Sequence, residues 1–161
     1  MLTAQVRPLV EADWPAVVRL EGSAYRELGL SETVDGLRSR AGAQTSFVLD
    51  ADGTVVGYLL ALAHPYGRSP DLAAAGSEPP GGTDLHLHDM VVAAGHRRRG
   101  LGRLLAGKLL TAGRRLGYER VSLVALAGRD VFWTHLGFRP QPDVPAPEGY
   151  GPGATYMSRP L

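Results

Sequence analysis

Two imidazoles lie close together in His86-Leu87-His88-Asp89-Met90-Val91-Val92, and Arg97-Arg98-Arg99-Gly100-Leu101-Gly102 follows shortly after. Histidine titrates near pH 6.5, about where a group must sit to accept or pass a proton at neutral pH. The basic turn suits a different task. A phosphate needs unpaired backbone N–H donors and a positive dipole, and the first turn of a helix supplies both. Glycines at 100 and 102 allow close backbone approach, and the arginines add charge-assisted hydrogen bonds. The segment is not a Walker A loop, because no Gly-Lys-Ser/Thr follows, and it does not fit the longer dinucleotide glycine pattern.

The elements around these residues decide whether they work together. Leu85–Val92 reads as a strand. Side chains alternate along a strand, so His86, His88, Met90 and Val92 share one face, and Leu85, Leu87, Asp89 and Val91 share the other. Asp89 then reads first as a paired structural carboxylate. The helix after Gly102 has apolar residues at 101, 104, 105, 109, 112 and 116, with Gly117 placed to end it.

Upstream, Ala4–Leu9 predicts a first strand, and Asp13 is placed to cap a helix through Trp14, Val17, Val18, Glu21 and Tyr25. Ser31 is placed to cap a second helix through Val34 and Leu37. Ser46–Leu49 and Val55–Ala63 form a hairpin around Asp52-Gly53. Downstream, Val121–Leu126 is a strand, Asp130–Leu136 a short helix ended by Gly137, and Ala154–Arg159 a closing strand. A mixed α/β sheet covered by helices follows, as one domain over residues 1–161.

Composition narrows the function. The chain has 161 residues and a formal net charge of +1, so its overall field does not suggest a nucleic-acid binder. It has no cysteine, which excludes disulfides, thiolate metal sites and a cysteine nucleophile. His64 has no supporting spacing as a third ligand to His86 and His88, so no metal is expected. No apolar run reaches membrane-spanning length and no signal-peptide pattern opens the chain, so a cytoplasmic protein without membrane or nucleic-acid partners is the expectation.

Arg97-x-x-Gly100-x-Gly102 after a strand resembles the acyl-CoA-binding motif of the GNAT superfamily of N-acetyltransferases. Phe132-Trp133-Thr134-His135-Leu136-Gly137-Phe138 resembles that superfamily's second signature, Phe-Tyr-x-x-x-Gly-Phe. The element order also fits over nearly the whole chain. The resemblance implies a mostly antiparallel mixed sheet that splays next to the strand at Met90, and acetyl-CoA as co-substrate. It implies that Met90, Val91 and Val92 pair with the pantetheine arm and that Arg97, Arg98, Arg99, Gly100, Leu101, Gly102 and Arg103 hold the pyrophosphate.

His-Leu-His ahead of that turn further resembles arylalkylamine (serotonin) N-acetyltransferases, where the matching histidines remove the amine proton. An alkyl ammonium titrates around pH 10, so its deprotonation needs a base, and the resemblance assigns that role to His86 and His88. One position departs from the pattern. Trp133 stands where the superfamily commonly has a tyrosine that protonates the leaving thiolate, and an indole N–H is not a practical acid. Tyr150 and Tyr156 are substitutes to locate.

Tyr25, the segment 26–36 and the 64–84 loop with Tyr66 are the expected acceptor region, which suits an aromatic or hydrophobic amine. No acidic cluster in the sequence argues for a polyamine. The expected reaction is direct transfer to a primary amine of a small molecule. The alternatives are a protein lysine or N-terminus as acceptor, or a non-catalytic acyl-CoA-binding regulator. A homodimer is one expected assembly.

Overall fold

Asp52 and Gly53 both adopt positive φ, the conformation a two-residue hairpin turn demands, and they join β2 (Phe47–Ala51) to β3 (Thr54–Ala63). This hairpin belongs to a seven-stranded sheet in a computed structural model that describes residues 3–70, 72 and 82–161. The Pro79-Pro80-Gly81 part of the expected long loop lies outside the described residues. The remaining strands are β1 (Ala4–Pro8), β4 (Asp84–Val92), β5 (Arg120–Ala125), β6 (Arg139–Pro140) and β7 (Thr155–Pro160). The order is β1-β2-β3-β4-β5-β7-β6, antiparallel except for the parallel β4–β5 pair.

Helices cover both faces. α3 (Leu101–Arg115) buries Leu105 and Leu109 against Leu85, Leu87 and Leu123 on one side. α1 (Trp14–Tyr25) and α2 (Val34–Ser39) bury Trp14, Val17 and Leu37 against Val48, Tyr58, Leu60 and Val91 on the other. Gly117 (φ 86°) and Gly137 (φ 90°) end α3 and α4 (Asp130–His135) in left-handed turns. After Gly137 the Phe138 N–H returns to the Trp133 carbonyl at 3.1 Å, and the Phe138 ring is buried in the core.

Two capping expectations are corrected. Asp13 makes no side-chain cap to α1. Its carboxylate accepts from the Val10 N–H and from both terminal nitrogens of Arg7, each at 2.9 Å. The bidentate arginine outcompetes the helix amides for the same oxygens. Thr33, not Ser31, caps α2 by accepting from the Gly36 N–H, while Ser31 donates to Glu21.

The change that matters most is in β4. Leu60 pairs with Asp89 but Ala61 pairs with Leu87, so His88 is an extra residue in the ladder. This β-bulge breaks the alternation. Leu85 and Leu87 face α3, and beyond the bulge Met90 and Val92 do so too. Asp89 and Val91 turn to the α1 side, where Asp89 meets Tyr25 and Tyr58. The expected grouping is therefore corrected: the histidines share a face with Asp89, not with Met90 and Val92.

Candidate active site

β4 and β5 pair only at Asp84–Arg120, Leu85–Val121 and His86–Ser122, then part. The bulge at His88 bends β4 just where the pairing stops. A cleft of about 510 Å³ opens between the strands, with Leu87, Met90, Val92 and Leu123 along its walls. The Ala93 N–H bonds to the Val56 carbonyl on β3, so by alternation Val92 and Met90 turn their backbone groups away from β3. The Val92 carbonyl accepts from Arg97 Nε at 3.0 Å, which places that open strand edge beside the basic turn.

That turn forms one end of the cleft. Gly100 caps α3 in the left-handed region (φ 76°). The helix ladder begins with Leu104 N–H to the Gly100 carbonyl, so the Leu101, Gly102 and Arg103 amides have no acceptor within the helix. No acidic side chain occupies this first turn. Arg97, Arg98 and Arg103 line the cleft instead, which leaves a positive helix end facing positive side chains. An anion resolves that conflict, and a phosphorylated acyl carrier fits here. A Cβ on Gly102 would lie 3.3 Å from Met90 Cε and 3.4 Å from Phe132 Cζ, so this glycine keeps the cleft open. Arg129, from the β5–α4 connection, joins the lining and was not anticipated.

The other end holds Glu21, Tyr25, Glu32, His88 and Asp89. His88 Nε2 lies 2.6 Å from Glu32 Oε2, with side-chain exposures of 2% and 5%. Glu32 Oε1 approaches Arg40 Nε at 3.6 Å. A carboxylate at Nε2 favours the tautomer with the proton there, which leaves the Nδ1 lone pair of His88 without a partner among the described residues. Glu21 accepts from Ser31 Oγ at 2.5 Å and from the Glu32 N–H at 2.7 Å. Tyr25 donates to Asp89 at 2.7 Å, and Tyr58 donates to its other oxygen.

His86 does not line the cleft. It is buried behind His88, with ring centroids 6.4 Å apart, and His64 stands 5.8 Å away on its other side. Burial holds the His86 imidazole well below its ordinary pKa, and the neighbouring His88, His64 and Arg40 push the same way. Among the other sequence-stated site residues, Val91 packs into the α1-side core and Arg99 is exposed outside the cleft. Tyr66 lies elsewhere, under the Arg120 guanidinium at 3.6 Å and edge-on to Tyr156. Trp133 lines the cleft, packed edge-on between Phe132 and Phe138. Tyr150 also lines it, its hydroxyl donating to the Pro70 carbonyl at 3.0 Å, while Tyr156 does not. Among the described residues no group of three or more metal-ligating side chains forms.

Among the lining residues, sequence reasoning placed Glu21 only on a helix, Glu32 only within the expected 26–36 acceptor segment and Asp89 as a structural carboxylate, and did not name Arg129. Glu21 carried a signal: it falls on the core-facing stripe of α1, where a carboxylate needs a reason to be buried. Glu32 was marked only by its segment, and Arg129 carried no signal.

Burial raises the Asp89 carboxyl to about 6, against the opposing effects of His88, Tyr58 and Tyr25. An unfolded aspartate titrates near 3.9, so between about pH 4 and 6 the folded chain holds a proton that the unfolded chain has lost. Stability from this group is therefore greatest below pH 4 and declines as pH rises toward 6. In Asp89→Asn the decline disappears. The variant-minus-parent unfolding free energy should rise by up to about 3 kcal/mol across that window and stay level above it. Denaturant unfolding at stepped pH tests this, and a flat difference overturns the assignment.

Residues 6–138 match the family model described as the acetyltransferase (GNAT) family. A search against curated proteins finds no match. Among solved structures, Ard1 from Thermoplasma volcanium aligns with a TM-score of 0.72 at 19% identity, over 98% of this chain and 97% of its own. The ribosomal-protein-S18-alanine N-acetyltransferase from Escherichia coli aligns with a TM-score of 0.72 at 18% identity, over 98% and 94%. A GCN5-related N-acetyltransferase from Kribbella flavida is 28% identical, with a TM-score of 0.67 over 98% of both chains.

Proposed function

The chain belongs to the acetyltransferase (GNAT) family, and from that premise we propose that it transfers acetyl from acetyl-CoA directly to a primary amine of a small molecule. The observation that carries this is the splayed β4–β5 cleft, basic at the α3 end and lined at the other end by a carboxylate-held imidazole. The Leu101, Gly102 and Arg103 amides with Arg97, Arg98 and Arg103 would hold the pyrophosphate, and the open backbone edge at Met90 and Val92 would pair with the pantetheine amides. Acetyl-CoA supplies an activated acyl group as a thioester.

His88 accepts the proton of the acceptor ammonium at Nδ1, and Glu32 at Nε2 stabilises the resulting imidazolium. His86 is the second base assigned from the sequence. Enclosed and neutral, with neither ring nitrogen hydrogen-bonded among the described residues, it has no direct contact to the amine and would serve His88 only through an intervening water. The freed amine nitrogen attacks the thioester carbonyl carbon. The C–N bond forms, the C–S bond breaks, and the Met90 N–H polarises the carbonyl oxygen. Trp133 cannot supply a proton to the leaving sulfur, so the thiolate departs as such and is protonated by water.

A small acceptor, rather than a protein chain, is supported by the near-complete burial of the His88 and Glu32 side chains at the acceptor end. Thiol release from acetyl-CoA across amines, lysine peptides and N-terminal peptides tests the reading. Turnover of amines supports it. Turnover of peptides alone moves the acceptor to protein. Binding of CoA with no turnover turns the protein into an acyl-CoA-binding regulator.

A further inference from the structure

The mechanism above leaves Glu21, Asp89 and Tyr25 unused, although all three line the acceptor end of the cleft. Glu32 is matched by Arg40 and His88. Glu21 and Asp89 differ. Both are buried, and among the described residues the hydrogen bonds to their carboxylates come only from neutral donors: Ser31 Oγ and the Glu32 N–H for Glu21, the Tyr25 and Tyr58 hydroxyls for Asp89. Glu21 also pushes the Asp89 carboxyl upward, as a nearby like charge does. A buried carboxylate normally finds a cation, because neutral donors repay only part of the cost of leaving water. No arginine or lysine among the described residues lies within ion-pair distance of either one, and the one cation acting on Asp89 is His88 when protonated.

A separate observation marks where the reacting nitrogen sits: the buried His88 side chain, whose Nδ1 has no partner, lines this same end. The amine acetylated there loses its charge before attack and is neutral as the amide. It therefore cannot remain the counterion of Glu21 and Asp89. Tyr25 follows Glu21 by one turn of α1, so it stands on the same helix face, and its phenol donates to Asp89. A phenol face also attracts a cation. Leu30, whose N–H bonds to the Tyr25 carbonyl, and Leu72 add apolar lining to the cleft. The exposed Arg129 acts on the Tyr25 phenol through its charge but makes no ion pair with either carboxylate, and the other lining arginines are at the pyrophosphate end.

We propose that the acceptor is a diamine-like molecule: the primary amine that is acetylated, a short apolar spacer, and a second nitrogen that stays cationic against Glu21, Asp89 and Tyr25. This rests on the acetyltransferase reading and narrows its substrate. It also revises the sequence-based expectation, in which no acidic cluster favoured a polyamine. The cluster exists, assembled from α1, the segment before α2, and β4.

The test compares kcat/KM for 1,4-diaminobutane, butylamine, phenethylamine and 4-aminobutanoate with acetyl-CoA in the full chain. The diamine should exceed butylamine at least tenfold, and the anionic-tailed amine should fall below butylamine. In Glu21→Gln and in Asp89→Asn the diamine-to-butylamine ratio should drop toward one. Because the ratio is taken within each variant, a general loss of activity or stability cancels. Parity of diamine and butylamine in the parent, preference for phenethylamine, or a ratio undiminished in both variants overturns the proposal and leaves the acetyltransferase reading standing. Absence of turnover with every amine and peptide overturns that reading and this one together.

Discussion

His88→Ala is expected to lower kcat/KM for the acceptor amine by about 100- to 10,000-fold, the usual contribution of a positioned general base. Acetyl-CoA should still raise Tm by as much as in the parent, because His88 belongs to the acceptor end and the pyrophosphate residues are at the other. The geometry predicts more than a bare loss. Glu32 holds Nε2 at 2.6 Å, so the imidazole presents Nδ1 as its only free nitrogen. His88→Gln keeps a polar group near Glu32 without a titrating base, and should be as inactive as the alanine variant. His86→Ala should cost less than His88→Ala, since His86 is enclosed and reaches the cleft only through its neighbour. A His86→Ala/His88→Ala double variant that turns over at the parent rate sinks the assignment of either imidazole as base.

Gly102→Val should weaken acetyl-CoA binding by about 100-fold or more, equivalent to about 3 kcal/mol. Its Cβ would already sit 3.3 Å from Met90 Cε and 3.4 Å from Phe132 Cζ, two side chains that line the cleft. The branched methyls then occupy space between the basic turn and the open β4 edge. Gly102→Ala is the graded control. The Met90 terminus is flexible and can yield a few tenths of an ångström, so this variant should bind with a several-fold loss at most. The readout is the rise in Tm on adding acetyl-CoA, with far-UV circular dichroism to show that the fold persists. Parent-like stabilisation of the valine variant by acetyl-CoA overturns the pyrophosphate cradle as drawn.

Much of this site is legible in the amino-acid sequence. The Gly100 turn, the helix it starts, and the arginines ahead of it are local features. Left-handed backbone at Gly100, Gly117 and Gly137 is a demand that glycine meets at little cost, so the punctuation was visible in the chain. The Asp52-Gly53 hairpin was legible for the same reason. Caps were less reliable. Asp13 had a stronger partner in Arg7, which approaches from β1, and no local rule weighs that competition.

Residue types and spacing by themselves determined the strand, the basic turn, the helix and the presence of two imidazoles on one strand. Backbone hydrogen bonding and glycine conformations are short-range, and they leave marks in neighbouring residues. Tertiary structure decided which of those groups meet. A single extra residue at His88, set by the register between β3 and β4, turned Asp89 toward the histidines and moved Met90 and Val92 to the other face. Alternation along a strand is readable only where no bulge interrupts it, and a bulge depends on the partner strand. The β4–β5 parting, the burial of His86 and the approach of Glu21 and Glu32 likewise depend on which elements pack together. Those contacts span residues far apart in the chain, so their energies left no local pattern to read.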